Sequence, residues 1–204
     1  LLVTAGSAAQ VHQSLDRVLF PADRVALGEP QALLWHGLVQ PGGEPGGAGW
    51  SLPGQHWLLA EGEALPEPLA AAAALSSEQQ EQLRIHQGIP APGAELSEEF
   101  NPFELGLRRW VSLEKGCYLG QETLAKLHSR DGLKQQLRRF VVVPGADAPE
   151  PGQQLRTTSG ERGALVTSVQ GDRGLLLLHR RCWDQSELAG LALSLPEAAA
   201  FDSH

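Results

Sequence analysis

The last third of the chain contains strand patterns only, and this constrains the fold more than any other feature. Short runs of aliphatic and β-branched residues alternate there with turn compositions. The runs cover residues 140–143, 154–158, 164–169, 174–179 and 191–195. Ser159-Gly160 and the segment 171–174 (Gly-Asp-Arg-Gly) are typical of hairpin turns. Several short strands joined by tight turns favour a small barrel, so we predict a β-barrel over 137–195 and a tail over 196–204.

Helix and strand patterns alternate before that point. Strands are predicted at residues 1–4, 24–27, 32–35 and 56–60, and helices at 7–19 and 66–75. Ser76 or Ser77, each followed three residues later by a glutamine, predicts the capped start of another helix that ends at Gly88. The sequence therefore predicts an α+β protein in which an α/β domain over 1–136 precedes the barrel.

An octapeptide at residues 115–122 (Lys-Gly-Cys-Tyr-Leu-Gly-Gln-Glu) contains the most reactive side chain of the sequence. It lies between a strand predicted at 110–113 and a helix predicted at 122–127, which should begin near Gly120. A thiol becomes reactive where a cation or a helix N-terminus stabilises its thiolate, and Lys115 and this helix are placed to supply both to Cys117. The alternative is a tight loop around a buried thiol, the commoner state of an isolated cysteine.

Charge and cysteine content limit the partners of the chain. The formal net charge is −8, so the overall field favours neither nucleic acid nor an anionic membrane, which leaves only a local basic patch for either. No apolar stretch is long enough to span a bilayer. Two cysteines far apart do not form a disulfide framework, which favours a reducing, cytoplasmic location. No Cys/His spacing fits zinc, so no metal site is predicted.

The octapeptide resembles the signature of the YgfZ family of folate-binding proteins, which are relatives of the glycine cleavage T-protein, an aminomethyltransferase. The aminomethyltransferases usually carry an acidic residue at the position of Cys117, so the cysteine favours the YgfZ branch. That branch is implicated in making or maintaining iron–sulfur proteins. The resemblance therefore implies a folate-linked factor that assists assembly or repair of iron–sulfur proteins. The alternatives are an aminomethyltransferase that moves a one-carbon unit and a non-catalytic folate-sensing scaffold.

The resemblance also implies the residues of a site. Cys117 is expected to be the functional thiol and Lys115 its electrostatic activator. The expected contacts to tetrahydrofolate are Tyr118, Gln121, Glu122, Arg84, His86, Arg138 and Arg139. His86 stands where the family often has a glutamate that contacts the pterin ring, and a neutral imidazole offers one acceptor rather than two. Arg138 and Arg139 either bind an anionic tail of the folate or belong to a solvated basic face.

Two further segments carry the resemblance less specifically. Residues 101–107 (Asn-Pro-Phe-Glu-Leu-Gly-Leu) resemble the family's loop Asn-Pro-x-Glu-Ala-Gly-Leu, in which Asn101 and Glu104 either order the loop or contact a ligand. Cys182 lies near a strand end and is expected to pack. The partners implied are folate and iron–sulfur client or assembly proteins, and a monomer is expected. Because the chain opens on an apolar run without methionine, we expect it to begin inside a longer protein.

Overall fold

The structure, a computed structural model, describes residues 8–30, 32–37, 56–60, 62–65, 70–130 and 132–193. The described residues divide between two compact units, one formed from Leu1–Gly43 and Leu52–Ala73 and the other from Glu44–Ser51 and Ala74–His204. The strand predicted at 1–4 and the tail predicted at 196–204 lie outside the described residues.

The first unit contains one helix and one antiparallel strand pair. Helix α1 (Ala8–Asp16) confirms the helix predicted at 7–19, although it ends earlier. Strands β1 (Leu33–Gly37) and β2 (His56–Ala60) pair with Leu33 opposite Ala60, which confirms both predicted strands. The predicted strand at 24–27 is wrong.

Two sequence patterns in the first unit were misleading for local reasons. A 3-10 turn at Pro21–Asp23 is closed by Arg24 in the left-handed conformation, with φ 52°, so the chain turns where an extended run was expected. Of the helix predicted at 66–75, residues 66–69 lie outside the described part, Ala70 is helical, and residues 71–75 are not. The high helix propensity of alanine is a weak signal without an apolar face to bury.

Helix α2 (Ser77–Gln87) opens the second unit and has the ends that the sequence predicts. The Ser76 hydroxyl accepts a hydrogen bond from the Gln79 N–H at 3.2 Å, and the Gln79 side chain accepts one from the Ser76 N–H at 2.9 Å. Gly88 ends the helix with φ 71°, a conformation that glycine adopts without steric cost. The capping box and the glycine stop are both confirmed.

Helix α3 (Gln121–Ser129) directly follows the octapeptide, and its N-cap is Gly120, as predicted. The strand predicted at 110–113 is wrong. Residues Arg108–Trp110 form a 3-10 turn, in which the N–H of Trp110 donates to Leu107 and the N–H of Val111 donates to Arg108. These amides point back into the turn, so they are not available to a neighbouring strand.

The rest of the second unit is a six-stranded antiparallel sheet. Its strands are β3 (Gln135–Val142), β4 (Gln154–Arg156), β5 (Arg162–Gln170), β6 (Arg173–His179), β7 (Glu187–Leu188) and β8 (Leu191–Leu193). Their order is β4-β5-β6-β3-β8-β7. Register shifts in β4 and β5 are bulges that bend the sheet, which curls into a half-barrel.

The strands predicted from the sequence are therefore confirmed, with two differences. Strand β3 begins at Gln135 rather than at residue 140, because Gln136 and Arg138 are buried polar residues that interrupt the apolar pattern. Strand β7 has two residues, which are too few to give an alternating apolar pattern in the sequence. The predicted boundary between residues 136 and 137 falls inside β3, and independent folding of the barrel stays a prediction.

Each face of the sheet carries a hydrophobic cluster. Leu176 and Leu178 of β6 pack with Phe140 in the cluster inside the curl, which also contains the fully buried Cys182. Leu175 and Leu177 point to the other face because successive side chains of a strand alternate. They join the second cluster, formed with Ile85, Leu105 and Leu137. The four-leucine run is therefore buried on both sides, and helix α2 covers the outer cluster through Ile85.

A buried carboxylate fixes α2 to the sheet. Glu95 has 0% exposure and accepts hydrogen bonds from the Ala91 N–H at 3.0 Å, the Arg84 guanidinium at 3.3 Å and the Ser168 hydroxyl at 2.6 Å. Arg84 also donates to Ser168 at 2.7 Å and to Glu81 at 2.5 and 2.7 Å. A buried carboxylate without partners is strongly unfavourable, so these contacts determine how the helix and strand β5 meet.

We predict that Glu95→Ala destabilises the second unit strongly. The substitution leaves the partly buried Arg84 guanidinium and the Ser168 hydroxyl short of a partner, and breaking a buried ion pair typically costs roughly 3–5 kcal/mol. Guanidinium unfolding followed by circular dichroism measures the change.

The matched control is Glu122→Ala, which removes the exposed salt bridge from Glu122 to Lys126 at 2.6 Å. Exposed pairs of this kind contribute less than about 1 kcal/mol, so the control should unfold close to the parent. Equal losses in the two variants would contradict the role assigned to Glu95.

Candidate functional site

The octapeptide loop is held by one side chain, the carboxamide of Gln121. Its Nε2 donates to the backbone carbonyls of Leu113 at 2.9 Å and Lys115 at 3.3 Å, and its Oε1 accepts from the N–H of Tyr118 at 3.2 Å. The Lys115 N–H also donates to the Ser112 hydroxyl at 3.2 Å. Because Gln121 is the first residue of α3, these bonds tie both arms of the loop to the start of the helix.

Lys115 and Tyr118 form a cation–π pair within the loop. The Lys115 ammonium lies 4.8 Å from the centroid of the Tyr118 ring. An ammonium over an aromatic face is attracted by the negative charge of the ring face. The loop thereby holds the positive charge of Lys115 in a defined place, and Lys115 is two residues before Cys117 in the sequence. Its action on the thiol stays a prediction.

The two cysteines of the chain lie in opposite environments. Cys117 is exposed on the octapeptide loop, whereas Cys182 is fully buried in the cluster inside the sheet. Burial raises the pKa of the Cys182 thiol, so this residue stays protonated and inert at neutral pH. The accessible thiol expected at Cys117 is present, and the packing role predicted for Cys182 is confirmed.

An open cavity of about 480 Å³ lies beside the loop. Its lining includes Asn101, Trp110, Lys115, Tyr118, Leu119 and Leu124. The hydroxyl oxygen of Tyr118 is buried, and no hydrogen-bond partner for it is found among the described residues. Trp110 is 56% exposed and Leu119 is fully exposed, so large apolar surfaces stand at the same place. The cavity thus combines apolar contact area with the cation of Lys115, and the Tyr118 side chain lines it.

The loop at 101–107 forms one side of this cavity. The Asn101 side-chain oxygen accepts from the N–H groups of Phe103 at 3.0 Å and Glu104 at 3.1 Å. The Glu104 carboxylate accepts a hydrogen bond from the N–H of Asn101 at 3.2 Å. The N–H of Leu137 in β3 donates to the Glu104 carbonyl at 2.7 Å. Asn101 and Glu104 therefore order the loop and attach it to the sheet, the first of the two roles considered for them.

The remaining expected site residues lie elsewhere in the second unit. Arg84 belongs to the Glu95 network, and the His86 side chain is exposed. Arg139 donates from Nη1 to the backbone carbonyl of His86 at 2.6 Å, and burial together with the charge of Arg173 lowers its pKa. Arg138 is buried and donates to Gln136 at 2.8 Å. None of these four residues lines the octapeptide cavity.

Glu122, the last of the expected contacts, is exposed and pairs with Lys126 on α3. The structure therefore brings Lys115 and Tyr118 to the cavity and assigns Gln121 to the support of the loop. Trp110 was missed as a site residue because it was placed in a strand. A large aromatic residue five positions before the octapeptide was the available signal. Nothing in the sequence predicted the roles of Ser168 and Glu95, because their contacts join segments that are far apart in the sequence.

Comparison with known proteins identifies relatives but no family model that matches. A chloroplastic protein of Arabidopsis thaliana named "putative transferase" is 45% identical over 117 residues, which cover 57% of this chain and 24% of that protein. The aminomethyltransferase of Thermoanaerobacter pseudethanolicus is 33% identical over 85 residues, 42% of this chain and 23% of the relative. The tRNA-modifying protein YgfZ of Cronobacter sakazakii is 33% identical over 101 residues, 47% of this chain and 30% of the relative.

The chain is a relative of the YgfZ and aminomethyltransferase proteins. The resemblance carried by the octapeptide is thereby confirmed. The matched segments span about a quarter of the length of these relatives, so what the whole proteins do is a matter for proposal here.

Two general features of the described residues bear on the kind of site. Among them, no group of three or more His, Cys, Asp or Glu side chains is arranged to hold a metal ion. Within the same residues, no helix combines the length and the apolar character needed to cross a membrane. The polar side chains that line the cavity are those of Asn101, Ser112, Lys115, Tyr118 and Thr123.

We predict that alkylation at neutral pH modifies Cys117 well before Cys182 in the folded protein. Exposure and burial alone require this order. Lys115→Ala should slow the modification of Cys117 by about two- to fivefold, because a nearby cation stabilises a thiolate by roughly 0.5–1 kcal/mol at an exposed site. Mass spectrometry of peptides after timed reaction with iodoacetamide gives both rates.

Lys126→Ala is the control, since it removes an equal charge from the exposed face of α3. It should leave the rate at Cys117 unchanged. If both lysine variants slow the reaction equally, the effect is one of net charge and Lys115 is not an activator.

Proposed function

We propose that this protein is a folate-linked factor that assists the assembly or repair of iron–sulfur proteins, with Cys117 as its working thiol. The observation that carries the proposal is the exposed thiol on a loop fixed by Gln121, beside a cavity that Lys115 and Tyr118 line. The relationship to YgfZ and aminomethyltransferase proteins supports a folate-related, transferase-like family.

The residues of the cavity fit tetrahydrofolate in kind. A pterin is a flat ring with hydrogen-bonding atoms at its edges, and sites for such rings combine apolar walls with a few polar groups. Trp110 and Leu119 offer apolar surface, while the Tyr118 hydroxyl is a buried polar atom that a ring acceptor would satisfy. Tetrahydrofolate supplies one-carbon chemistry when bound. Tyr118 and Lys115 would bind and orient it.

The residues on α2 and β3 contribute to the proposal indirectly. Arg84 is engaged with Glu81 and Glu95, and Arg139 caps the C-terminal end of α2 at the His86 carbonyl. These side chains hold the scaffold behind the loop at 101–107. A direct contact of the arginines or of His86 with folate stays a prediction from the resemblance, and it requires ligand atoms that reach beyond the cavity.

A single thiol restricts what the protein can do with iron and sulfur. Clusters are normally held by several thiolates, so Cys117 alone would contact a cluster or a client cysteine only while the client supplies the other ligands. The exposure of Cys117 suits such a contact, because a client can approach it from solvent. Iron–sulfur client or assembly proteins are accordingly the partners proposed, and a monomeric state and a cytoplasmic location stay predictions.

Aminomethyl transfer is the second candidate function, favoured by the relationship to the aminomethyltransferase of Thermoanaerobacter pseudethanolicus. The resemblance places an acid in those enzymes where this chain has Cys117, and a thiol is a much weaker hydrogen-bond acceptor than a carboxylate. A turnover assay with an aminomethyl-carrier protein separates the two functions. Turnover that survives Cys117→Ala would favour the transferase, and the third candidate, a folate-sensing scaffold, would show binding without either activity.

We predict that Tyr118→Phe weakens tetrahydrofolate binding by about five- to thirtyfold in the full-length gene product, since losing one hydrogen bond to a ligand costs roughly 1–2 kcal/mol. The same change should leave the free energy of unfolding equal or higher, because it removes a buried polar atom that has no hydrogen-bond partner among the described residues. Calorimetric titration and guanidinium unfolding measure the two quantities. A loss of stability together with unchanged binding would assign the hydroxyl a structural role.

We predict that Cys117→Ala abolishes the support of iron–sulfur enzymes in cells that lack the gene, while Cys182→Ala at normal protein levels retains it. The specific activity of a [4Fe–4S] dehydratase in extracts is the measurement, with immunoblotting to equalise protein. Tetrahydrofolate binding by purified Cys117→Ala should persist, which separates loss of the thiol from loss of the fold. Full activity of Cys117→Ala would contradict the proposed function.

A further inference from the structure

The Cys117 thiol belongs to a short backbone segment that has a residue of the cavity at each end. Lys115 and Tyr118 line the cavity, whereas Gly116 and Cys117, the two residues between them, do not. A molecule in the cavity can therefore contact the residues on both sides of the thiol without covering the thiol itself. The cavity and the reactive side chain of the proposed function meet in this segment.

Gln121 bonds the backbone at the same two residues. Its carboxamide donates to the Lys115 carbonyl at 3.3 Å and accepts from the Tyr118 N–H at 3.2 Å. A further bond, to the Leu113 carbonyl at 2.9 Å, extends this support toward the start of the loop. Because one side chain of α3 holds the backbone on each side of Cys117, the positions of Lys115 and Tyr118 relative to each other depend on Gln121.

The segment between these two residues has room to adjust. Gly116 carries no side chain, and a Cβ placed on it would meet no heavy atom within 4 Å apart from its chain neighbours. Cys117 is exposed. The thiol is therefore not held by packing. Its environment depends on the groups beside it in the loop, and the nearest cation in the sequence is Lys115.

Lys115 is the one charged residue among the described residues that line the cavity. Its ammonium lies 4.8 Å from the centroid of the Tyr118 ring, and it can donate three hydrogen bonds. The acids Glu114 and Glu122 are exposed and do not line the cavity. A ligand atom that accepts a hydrogen bond from Lys115 compensates its charge. A thiolate at Cys117 is then less stabilised, and the thiolate is the nucleophilic form.

We propose that tetrahydrofolate in the cavity lowers the reactivity of the Cys117 thiol by binding Lys115, and that Gln121 is the positioning residue on which this control depends. The regulation rests on the proposed function, from which it takes the ligand. The control is indirect, because Cys117 does not line the cavity. The thiol is less reactive while the ligand is bound, and a client protein meets the more reactive thiol after the ligand has left.

The test is the rate at which iodoacetamide modifies Cys117 in the full-length gene product at neutral pH, with and without tetrahydrofolate. Calorimetric titration of each sample measures binding and sets the saturating concentration. Mass spectrometry of the peptides gives the rate at Cys117 and, as a measure of intact folding, the slow rate at the buried Cys182. Saturating tetrahydrofolate should slow the modification of Cys117 by about two- to fivefold, the range expected for loss of the Lys115 charge.

Lys115→Ala tests whether the ligand acts through the ammonium. Two changes that act through one group are not additive, so saturating tetrahydrofolate should change the Cys117 rate of this variant by less than about 1.5-fold. The matched control is Lys126→Ala, which removes an equal charge from the exposed face of α3. This control should show the full slowing by the ligand.

Gln121→Leu and Gln121→Glu test the positioning residue. Leucine removes all three bonds, whereas glutamate keeps an acceptor for the Tyr118 N–H and places a carboxylate against the two carbonyls. In both variants the slowing by tetrahydrofolate should fall below about 1.5-fold. The control is Gln79→Leu, which removes a comparable backbone bond at the start of α2 and should keep the full slowing. A full response in both Gln121 variants contradicts the role of Gln121.

Three further outcomes overturn the proposal, and they differ in what they say of the proposed function. Tetrahydrofolate that binds without slowing the modification of Cys117 contradicts the regulation and leaves the proposed function intact. Equal slowing in the parent and in Lys115→Ala shows that the ligand covers the thiol directly. Absence of tetrahydrofolate binding removes folate from the proposed function and the regulation with it.

Discussion

The buried carboxylate of Glu95 is the interaction on which the second unit depends. A carboxylate in the interior must be paired, and here its partners belong to different segments, helix α2 through Arg84 and strand β5 through Ser168. The pairing holds Ile85, the neighbour of Arg84, against Leu175 and Leu177. Apolar burial supplies most of the free energy of this contact, while the polar network determines the one orientation in which both are satisfied.

Further hydrogen bonds connect this part of the second unit to the octapeptide. The Glu104 carbonyl is bound by the N–H of Leu137, so the loop that begins at Asn101 is attached to β3. This loop forms one side of the cavity, and Gln121 fixes the other side by bonding the backbone of the octapeptide. An exposed thiol is therefore presented by a loop whose backbone is well supported. Such support places a reactive group without burying it, which a packed core cannot do.

Local signals explain what the sequence could predict. The capping box at Ser76 and the glycine at 88 act within four residues, and the strands of the sheet carry strong apolar runs, so these elements were predictable. The strand predicted at 110–113 is wrong. The apolar residues Trp110 and Val111 line the cavity and belong to a turn, and neither is part of a sheet. The buried polar residues Glu95 and Arg138 were invisible, since their partners lie far away in sequence and a carboxylate looks the same whether solvated or paired. Cys117 and Lys115 were predicted as site residues from local chemistry as well as from the resemblance, whereas Tyr118 was predicted from the resemblance alone.

The Tyr118 hydroxyl bears most directly on what the cavity is for. No hydrogen-bond partner for it is found in the part of the chain that the structure describes. A buried hydroxyl that lacks a partner costs roughly 1–3 kcal/mol, and phenylalanine would fill the same space without that cost. Leu119 is fully exposed at the same place, so the site also leaves apolar surface in water that burial would stabilise. Lys115 can only donate hydrogen bonds, and the phenol can donate one, so a partner that satisfies both must present acceptor atoms. A flat ring with acceptors at its edge would both accept hydrogen bonds from these donors and cover the exposed apolar surface. The two features together support a ligand-binding cavity more strongly than either feature alone.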